Sequence, residues 1–98
     1  MWMMIRYKVK NSELERHLEL HRAVYEALES SPPDGLREAT FQLDDKVSFV
    51  AFVNADVFPV PGTEKLEAFQ RYREDLDERC DEPSVMTMLH ESGSFRFN

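Results

Sequence analysis

The chain has 98 residues, of which 42% are hydrophobic and 32% are charged, the composition of an ordinary folded protein and not of a disordered one. Its 19 acidic residues outnumber its 12 basic residues, for a formal net charge of -7. Nucleic-acid affinity comes mainly from Lys and Arg side chains that neutralise phosphates, so this charge excludes a typical nucleic-acid-binding surface. We expect one domain, residues 1–98.

The N-terminus and the cysteine content bear on location. The apolar stretch at residues 1–5 is too short for the core of a signal peptide and has no charged segment before it. No stretch approaches the run of about 18 apolar residues that would cross a bilayer. Cys80 is the only cysteine, so no disulfide can form within the chain, as suits a reducing compartment. A cytoplasmic protein without a membrane partner is therefore expected.

The first third of the chain predicts a strand and then a helix. Residues 2–10 contain no Gly or Pro and are rich in aromatic, β-branched and long side chains, which favours a strand. The segment from Ser12 to Glu15 has the S-x-x-E form of a capping box, so a helix should cover residues 13–29. Two prolines and a glycine within residues 30–35 end it. The predicted apolar stripe of this helix is Leu14, Leu18, His21, Tyr25 and Leu28, with His17 and Val24 at its margin.

The remainder predicts a hairpin, a second helix and a further strand. Strands at residues 36–43 and 47–53 flank the polar turn at 44–46, and a loop with two prolines follows. Thr63 is a plausible N-cap for a helix over residues 64–80, which the segment Asp81-Glu82-Pro83 should end. A strand over residues 85–90 and, after Gly93, a short fifth strand over residues 94–97 complete the chain.

The third strand indicates a need for a partner. Phe49, Ala51 and Val53 share one face with Val47, while Val50 and Phe52 occupy the other. A strand with one wet face should alternate apolar and polar residues, and this strand largely does not. Two helices can cover only one face of a sheet, so we expect a homodimer that packs sheet against sheet. The alternative is a monomer with a weakly apolar outer face.

The order of elements predicts an α+β, ferredoxin-like βαββαβ sandwich, with an antiparallel sheet and two helices on one face. Four stretches span nearly the whole chain: Tyr7-Lys8-Val9-Lys10, Gly35-Leu36-Arg37-Glu38-Ala39-Thr40-Phe41, Arg79-Cys80-Asp81-Glu82-Pro83 and Gly93-Ser94-Phe95-Arg96-Phe97. The order of elements and the two-faced sheet resemble the dimeric α/β-barrel superfamily, which contains the antibiotic biosynthesis monooxygenase-like domains. The four stretches resemble, more narrowly, a group of small uncharacterised bacterial proteins within that superfamily. The resemblance implies a homodimer with a ligand pocket between helices and sheet.

The same resemblance implies an activity only loosely. The superfamily includes cofactor-free monooxygenases, haem-degrading enzymes, polyketide cyclases and members without known chemistry. Haem-degrading members use an Asn on strand 1, a Trp and a His, whereas here Asn11 lies beyond the strand and Trp2 is the only Trp. Quinone-forming members also rely on an Asn and on Trp residues in the pocket, and this chain has no matching set. Fold alone does not establish function, and no cofactor is expected.

His21 and Tyr25 are the candidate catalytic residues. They follow His17 at successive turns of the first helix, on the side predicted to face the sheet. A neutral His21 imidazole could take a proton from an acidic phenol or β-dicarbonyl, and the Tyr25 hydroxyl could hold the oxyanion. The alternative is structural: a histidine bonded at the edge of the core and a tyrosine packed on a Phe. The residues predicted to line the pocket are His17, Phe41, Phe52, Phe69 and Tyr72.

Other reactive side chains point to structural roles. His17 and His21 have the spacing of metal ligands, but Leu18 replaces the Glu of a zincin motif and only His90 could add a third ligand, so no metal site is expected. Cys80 stands among carboxylates at the predicted end of a helix, which disfavours a thiolate and indicates a small buried residue. Arg79 is predicted to pair with Asp81 or Glu82.

Three functions follow from these patterns. The leading hypothesis is a dimer that binds a small apolar molecule, with cofactor-free oxidation or cyclisation of an aromatic or polyketide-like substrate as its chemistry. The competing hypothesis is a non-catalytic interaction or structural module that acts through the dimer. Haem binding through His17 or His21 ranks last.

Overall fold

Four strands form one antiparallel sheet in the computed structural model, which describes residues 1–97. The strands are β1 (Trp2–Val9), β2 (Arg37–Gln42), β3 (Ser48–Asn54) and β4 (Cys80–Leu89), and they lie in the order β2-β3-β1-β4. Two helices, α1 (Leu14–Ser30) and α2 (Glu67–Arg73), pack against each other and against one face of the sheet. The predicted α+β ferredoxin-like fold is confirmed.

The register of the central strands determines which side chains face the helices. Ile5 and Tyr7 of β1 stand opposite Ala51 and Phe49 of β3. Because successive side chains of a strand alternate between faces, these residues share the helix side of the sheet. Tyr7, Val9, Phe49 and Cys80 form a buried cluster, on which Ile5, Leu14, Leu18 and Leu76 pack. The face predicted to be shared by Phe49, Ala51 and Val53 is confirmed, since all three are buried.

The first helix follows the prediction in extent but differs in its start and in its rotation. It begins at Leu14, after a 3-10 turn over Asn11–Glu13, and no side chain caps either end of this turn or the helix start. The predicted capping box is therefore wrong, because the chain enters through a turn in which the Glu13 N–H bonds the Lys10 carbonyl. The helix is also rotated relative to the predicted stripe, since His17 and Val24 are its buried residues.

The second helix is much shorter than predicted. α2 has seven residues and is flanked by 3-10 turns at Thr63–Lys65 and Asp77–Arg79. The helix cannot continue past Glu74, which is extended, or past Asp75, whose φ of 60° is left-handed. Thr63 caps no helix, because its hydroxyl donates to the Val60 carbonyl. Within residues 1–97 no helix is long and apolar enough to span a membrane.

The last strand starts earlier than predicted and the fifth strand is not formed. β4 begins at Cys80 and includes Pro83, so Asp81-Glu82-Pro83 does not end a helix. Pro83 is tolerated because β4 is an edge strand and because its pairing with β1 is irregular at this point. Arg6 pairs with Val85 and Lys8 pairs with Glu82, so the register shifts between these two pairs. Residues 94–97 form no strand, and Phe95 and Phe97 remain 80% and 77% exposed.

A candidate ligand cavity between the helices and the sheet

A cavity of about 670 Å³ lies between the two helices and the inner face of the sheet. This volume falls within the range of roughly 300–1,000 Å³ that is usual for small-molecule sites. The wall combines apolar side chains such as Ile5 and Phe69 with polar groups from both helices and from β1, β2 and β4. Its aromatic and polar residues include Tyr7, His21, Tyr25, Glu38, Thr40, Phe69, Tyr72 and Arg73.

The structure brings together four of the residues predicted for the site. His21, Tyr25, Phe69 and Tyr72 all line the cavity. His17 does not reach it, because the ring is fully buried one layer deeper, between the sheet and the first helix. Its ring lies 5.8 Å from the ring of His21 and 5.0 Å from that of Phe49.

Phe41 and Phe52 were wrongly assigned to the pocket. Phe52 follows Ala51, which lines the cavity, and therefore points to the opposite face of the sheet. Phe41 follows Thr40, another lining residue, and points the same way as Phe52. Their ring centroids are 6.1 Å apart on that outer face. The two phenylalanines thus belong to the uncovered side of the sheet.

His21 and Tyr25 are neighbours on the wall. Their ring centroids are 5.0 Å apart in an edge-to-face arrangement. Burial lowers the pKa of His21, so the imidazole is neutral at neutral pH and can accept a proton. The Tyr25 hydroxyl lies 2.8 Å from the Thr40 hydroxyl, and burial raises the pKa of Tyr25 to about 12. Tyr25 is therefore a hydrogen-bonding group and not an anion.

Tyr7 is a polar residue of the cavity wall that the sequence analysis missed. The Tyr72 hydroxyl donates a hydrogen bond of 2.8 Å to the Tyr7 hydroxyl, which lies 2.8 Å from Nε2 of His17. Burial, with the charge of Arg79 as a smaller contribution, lowers the pKa of His17 to about 4. The available signal was Tyr7 itself, a tyrosine on the inward face of a strand, since a buried tyrosine hydroxyl usually has a partner.

Glu38 brings a carboxylate to the same cavity. Burial raises the pKa of Glu38, and the nearby charge of Arg73 offsets part of that effect. The charge of Glu38 in turn contributes to the raised pKa values of Tyr25 and Tyr72. No hydrogen bond or ion pair of the Glu38 side chain is found within residues 1–97.

Arg79 does not form the predicted pairs with Asp81 or Glu82. It is 5% exposed and donates from Nη1 to the Glu74 carbonyl at 2.8 Å and from Nη2 to the Tyr72 carbonyl at 2.7 Å. In the described part of the chain the recorded salt bridge is that of Arg71 with Glu67. Arg79 instead ties the end of α2 to the start of β4, with its guanidinium carbon 5.9 Å from the Tyr72 ring centroid.

The candidate metal ligands and the single cysteine lie in different parts of the fold. Among residues 1–97 no three His, Cys, Asp or Glu side chains are placed to hold a metal ion together. Cys80 is buried at the start of β4, as a small core residue would be. Burial raises the pKa of its thiol, which disfavours the nucleophilic thiolate.

No family model and no curated sequence matches the chain, whereas several solved structures do. A candidate antibiotic biosynthesis monooxygenase from Nitrosomonas europaea is similar, with a TM-score of 0.73 and 17% identity over 93% of this chain and 88% of that one. Rv0793 from Mycobacterium tuberculosis gives a TM-score of 0.63 and 17% identity, with 94% and 97% of the two chains covered. A variant of SnoaB, a cofactor-independent oxygenase from Streptomyces nogalater, gives 0.58 and 14%, with 93% of each chain covered. The predicted resemblance is thus confirmed at the level of fold.

Proposed function

We propose that this protein binds a flat, largely apolar small molecule in the cavity between its helices and its sheet. The observation that carries the proposal is the position of His21 and Tyr25, side by side on the wall of a cavity of ligand size. A concave, mostly apolar site with a few convergent polar groups is the usual form of a small-molecule site. The shared fold with SnoaB, described as a cofactor-independent oxygenase, shows that this fold can carry chemistry without a cofactor.

The chemistry that suits these residues is proton abstraction without a cofactor. His21 is a base held neutral by burial, and it would remove a proton from an acidic phenol or from the carbon between two carbonyl groups. Tyr25 would donate a hydrogen bond to the oxyanion that results. With an anthrone-type substrate, the carbanion would react with dioxygen to give the quinone and water. A buried lone thiol, Cys80, agrees with a cytoplasmic setting for this reaction.

Replacement of His21 tests this chemistry. Anthrone is the probe, and oxygen uptake together with quinone absorbance is the measurement. The His21→Gln variant should lose at least about 100-fold of the turnover, the usual contribution of a general base. His90→Gln is the matched control, since His90 is exposed beyond β4 and should have no effect. Full turnover in His21→Gln would remove the base assignment, and a wild-type protein that binds no ligand of this class would contradict the function.

The same protein is proposed to work as a homodimer. The outer face of the sheet carries Val50 and Phe52 at its centre, with Phe41 on β2 and Met4 on β1 beside them, while Val85 on β4 lies on the same face beyond Arg6. Phe41 is 56% exposed and Val85 is 46% exposed in the single chain. Contiguous apolar surface of this kind marks an interaction site, and two-fold pairing of identical surfaces is the commonest way to cover it.

Introduction of a charge on this face should break the dimer. The wild-type chain is expected to sediment at twice its 11.5 kDa mass, whereas Phe41→Lys should sediment as a single chain, because the lysine would be buried without a partner. Val57→Lys is the control, since Val57 is 51% exposed but lies in the loop after β3. A wild-type protein that stays monomeric at tens of micromolar would refute the dimer.

A further inference from the structure

We propose that the Tyr7 hydroxyl, held by His17 and Tyr72, donates a hydrogen bond to a carbonyl or enolate oxygen of the molecule bound in the cavity. This inference rests on the proposed function, since it requires a ligand in that cavity. It adds a donor that is separate from Tyr25 and lies on a different element. It also narrows the ligand class to flat molecules that carry a carbonyl oxygen.

The first step concerns the proton on His17. The ring is fully buried, its Nε2 is 2.8 Å from the Tyr7 hydroxyl, and its Nδ1 has no partner within residues 1–97. A neutral imidazole has one N–H, and a buried N–H without an acceptor is rarer than a buried acceptor without a donor. The proton therefore belongs on Nε2, and His17 donates to the Tyr7 oxygen.

The second step counts the hydrogen bonds of Tyr7. Its oxygen accepts from the Tyr72 hydroxyl at 2.8 Å and, by the argument above, from His17. A phenol oxygen has two acceptor positions and one proton, so both acceptor positions are filled and the proton is left over. No further hydrogen bond of this hydroxyl is found among residues 1–97. Because Tyr7 is among the residues that line the cavity, we infer that this proton is directed to the bound molecule.

The third step concerns the strength and the preference of this donor. Two incoming hydrogen bonds polarise the Tyr7 hydroxyl, and burial raises the pKa of Tyr7, so the hydroxyl keeps its proton and can donate it in a hydrogen bond. Since it can only donate, its partner must be an acceptor atom. A carbonyl oxygen fits best, because removal of a proton from the adjacent carbon by His21 would turn it into an enolate oxygen and strengthen the bond.

The test uses two ligands of the same shape. 1-Indanone carries a carbonyl oxygen and indane carries none, and ¹³C-labelling of the carbonyl allows its infrared band to be followed in the complex. Wild-type protein should bind indanone more tightly than indane, with the carbonyl band at lower wavenumber than in an aprotic solvent. Tyr7→Phe should bind indane as wild type does, bind indanone about 3- to 10-fold more weakly, and return the band to higher wavenumber. Tyr72→Phe removes one of the two polarising bonds and should shift the band part of the way.

The outcomes separate this inference from the function on which it rests. The role of Tyr7 would be overturned if the shifted carbonyl band were unchanged in Tyr7→Phe, or if the shift disappeared in Tyr25→Phe instead. In either case the proposal that the cavity binds a ligand would remain. A folded wild-type protein that binds neither ligand would overturn both. Should Tyr7→Phe fail to fold, the wild-type spectrum decides, because a carbonyl band at its aprotic position excludes any polarised donor.

Discussion

Acidification from pH 6.5 to 4 is expected to lower the free energy of unfolding by on the order of 3 kcal/mol through His17 alone. Burial lowers the pKa of His17 to about 4 from an ordinary value of 6.5. Between these values the unfolded chain binds a proton that the folded chain does not, so stability is complete above pH 6.5 and falls as the pH drops toward 4. Urea unfolding at a series of pH values, at one protein concentration, measures the effect.

His17→Gln isolates this contribution. A glutamine amide can donate to the Tyr7 hydroxyl but does not titrate, so the difference in unfolding free energy between wild type and variant should shrink as the pH falls through this window. Glu38 acts in the opposite direction, because burial raises its pKa, but it is present in both proteins and cancels in the difference. Parallel curves for the two proteins between pH 6.5 and 4 would contradict the assignment of a neutral His17.

Arg79→Met is expected to destabilise the fold by about 2–4 kcal/mol. The methionine keeps most of the apolar stem but leaves the carbonyls of Glu74 and Tyr72 without their donors in a buried setting. Hydrogen bonds from a charged group contribute more than neutral ones, while removal of a buried charge returns part of the loss. Thermal or urea unfolding measures the change, and Arg79→Lys should recover only part of it, since an ammonium lacks the fork geometry.

Arg71→Met, in α2, provides the matched control for the loss of an arginine. Arg71 pairs with Glu67 at 3.2 Å, but the two side chains are 59% and 78% exposed, so the pair should contribute less than about 1 kcal/mol. Equal losses of unfolding free energy in Arg71→Met and Arg79→Met would show that the buried hydrogen bonds of Arg79 stabilise the fold no more than the exposed ion pair of Arg71 does. Loss of the Tyr72–Tyr7 contact is a further consequence expected of Arg79→Met, because Arg79 fixes the backbone of Tyr72.

Two buried polar side chains, His17 and Arg79, hold tyrosines of the cavity wall. A fully buried histidine and a buried arginine without a carboxylate both cost stability relative to apolar side chains of similar size. Here both converge on tyrosines that line the cavity, His17 on Tyr7 and Arg79 on Tyr72. Polar networks of this kind orient their members closely, as a binding site requires.

Local patterns carried most of the information about the fold. The apolar, β-branched and aromatic run of β3 and the periodicity of α1 predicted both elements, because successive strand residues alternate between faces and burial imposes a period of 3.6 on helices. The apolar residues on both faces of β3 also predict a partner for the outer face of the sheet, which stays a prediction. His21 and Tyr25 were found in the cavity wall because their spacing placed them on one side of α1. Even the position of Phe52 was implied, since a strand residue next to Ala51 must face away from the helices.

Long-range contacts decided the rest. The second helix ends where Glu74 becomes extended and Asp75 adopts a left-handed φ, and no Gly or Pro at these positions predicted the break. The face occupied by Phe41 depended on the register between β2 and β3. The bond between Tyr7 and Tyr72 joins residues 65 positions apart, and His17 meets Tyr7 only because α1 is rotated by its packing on the sheet. Sequence periodicity reports which side of an element is buried, whereas the partner that each buried polar atom finds is set by how the elements are packed together.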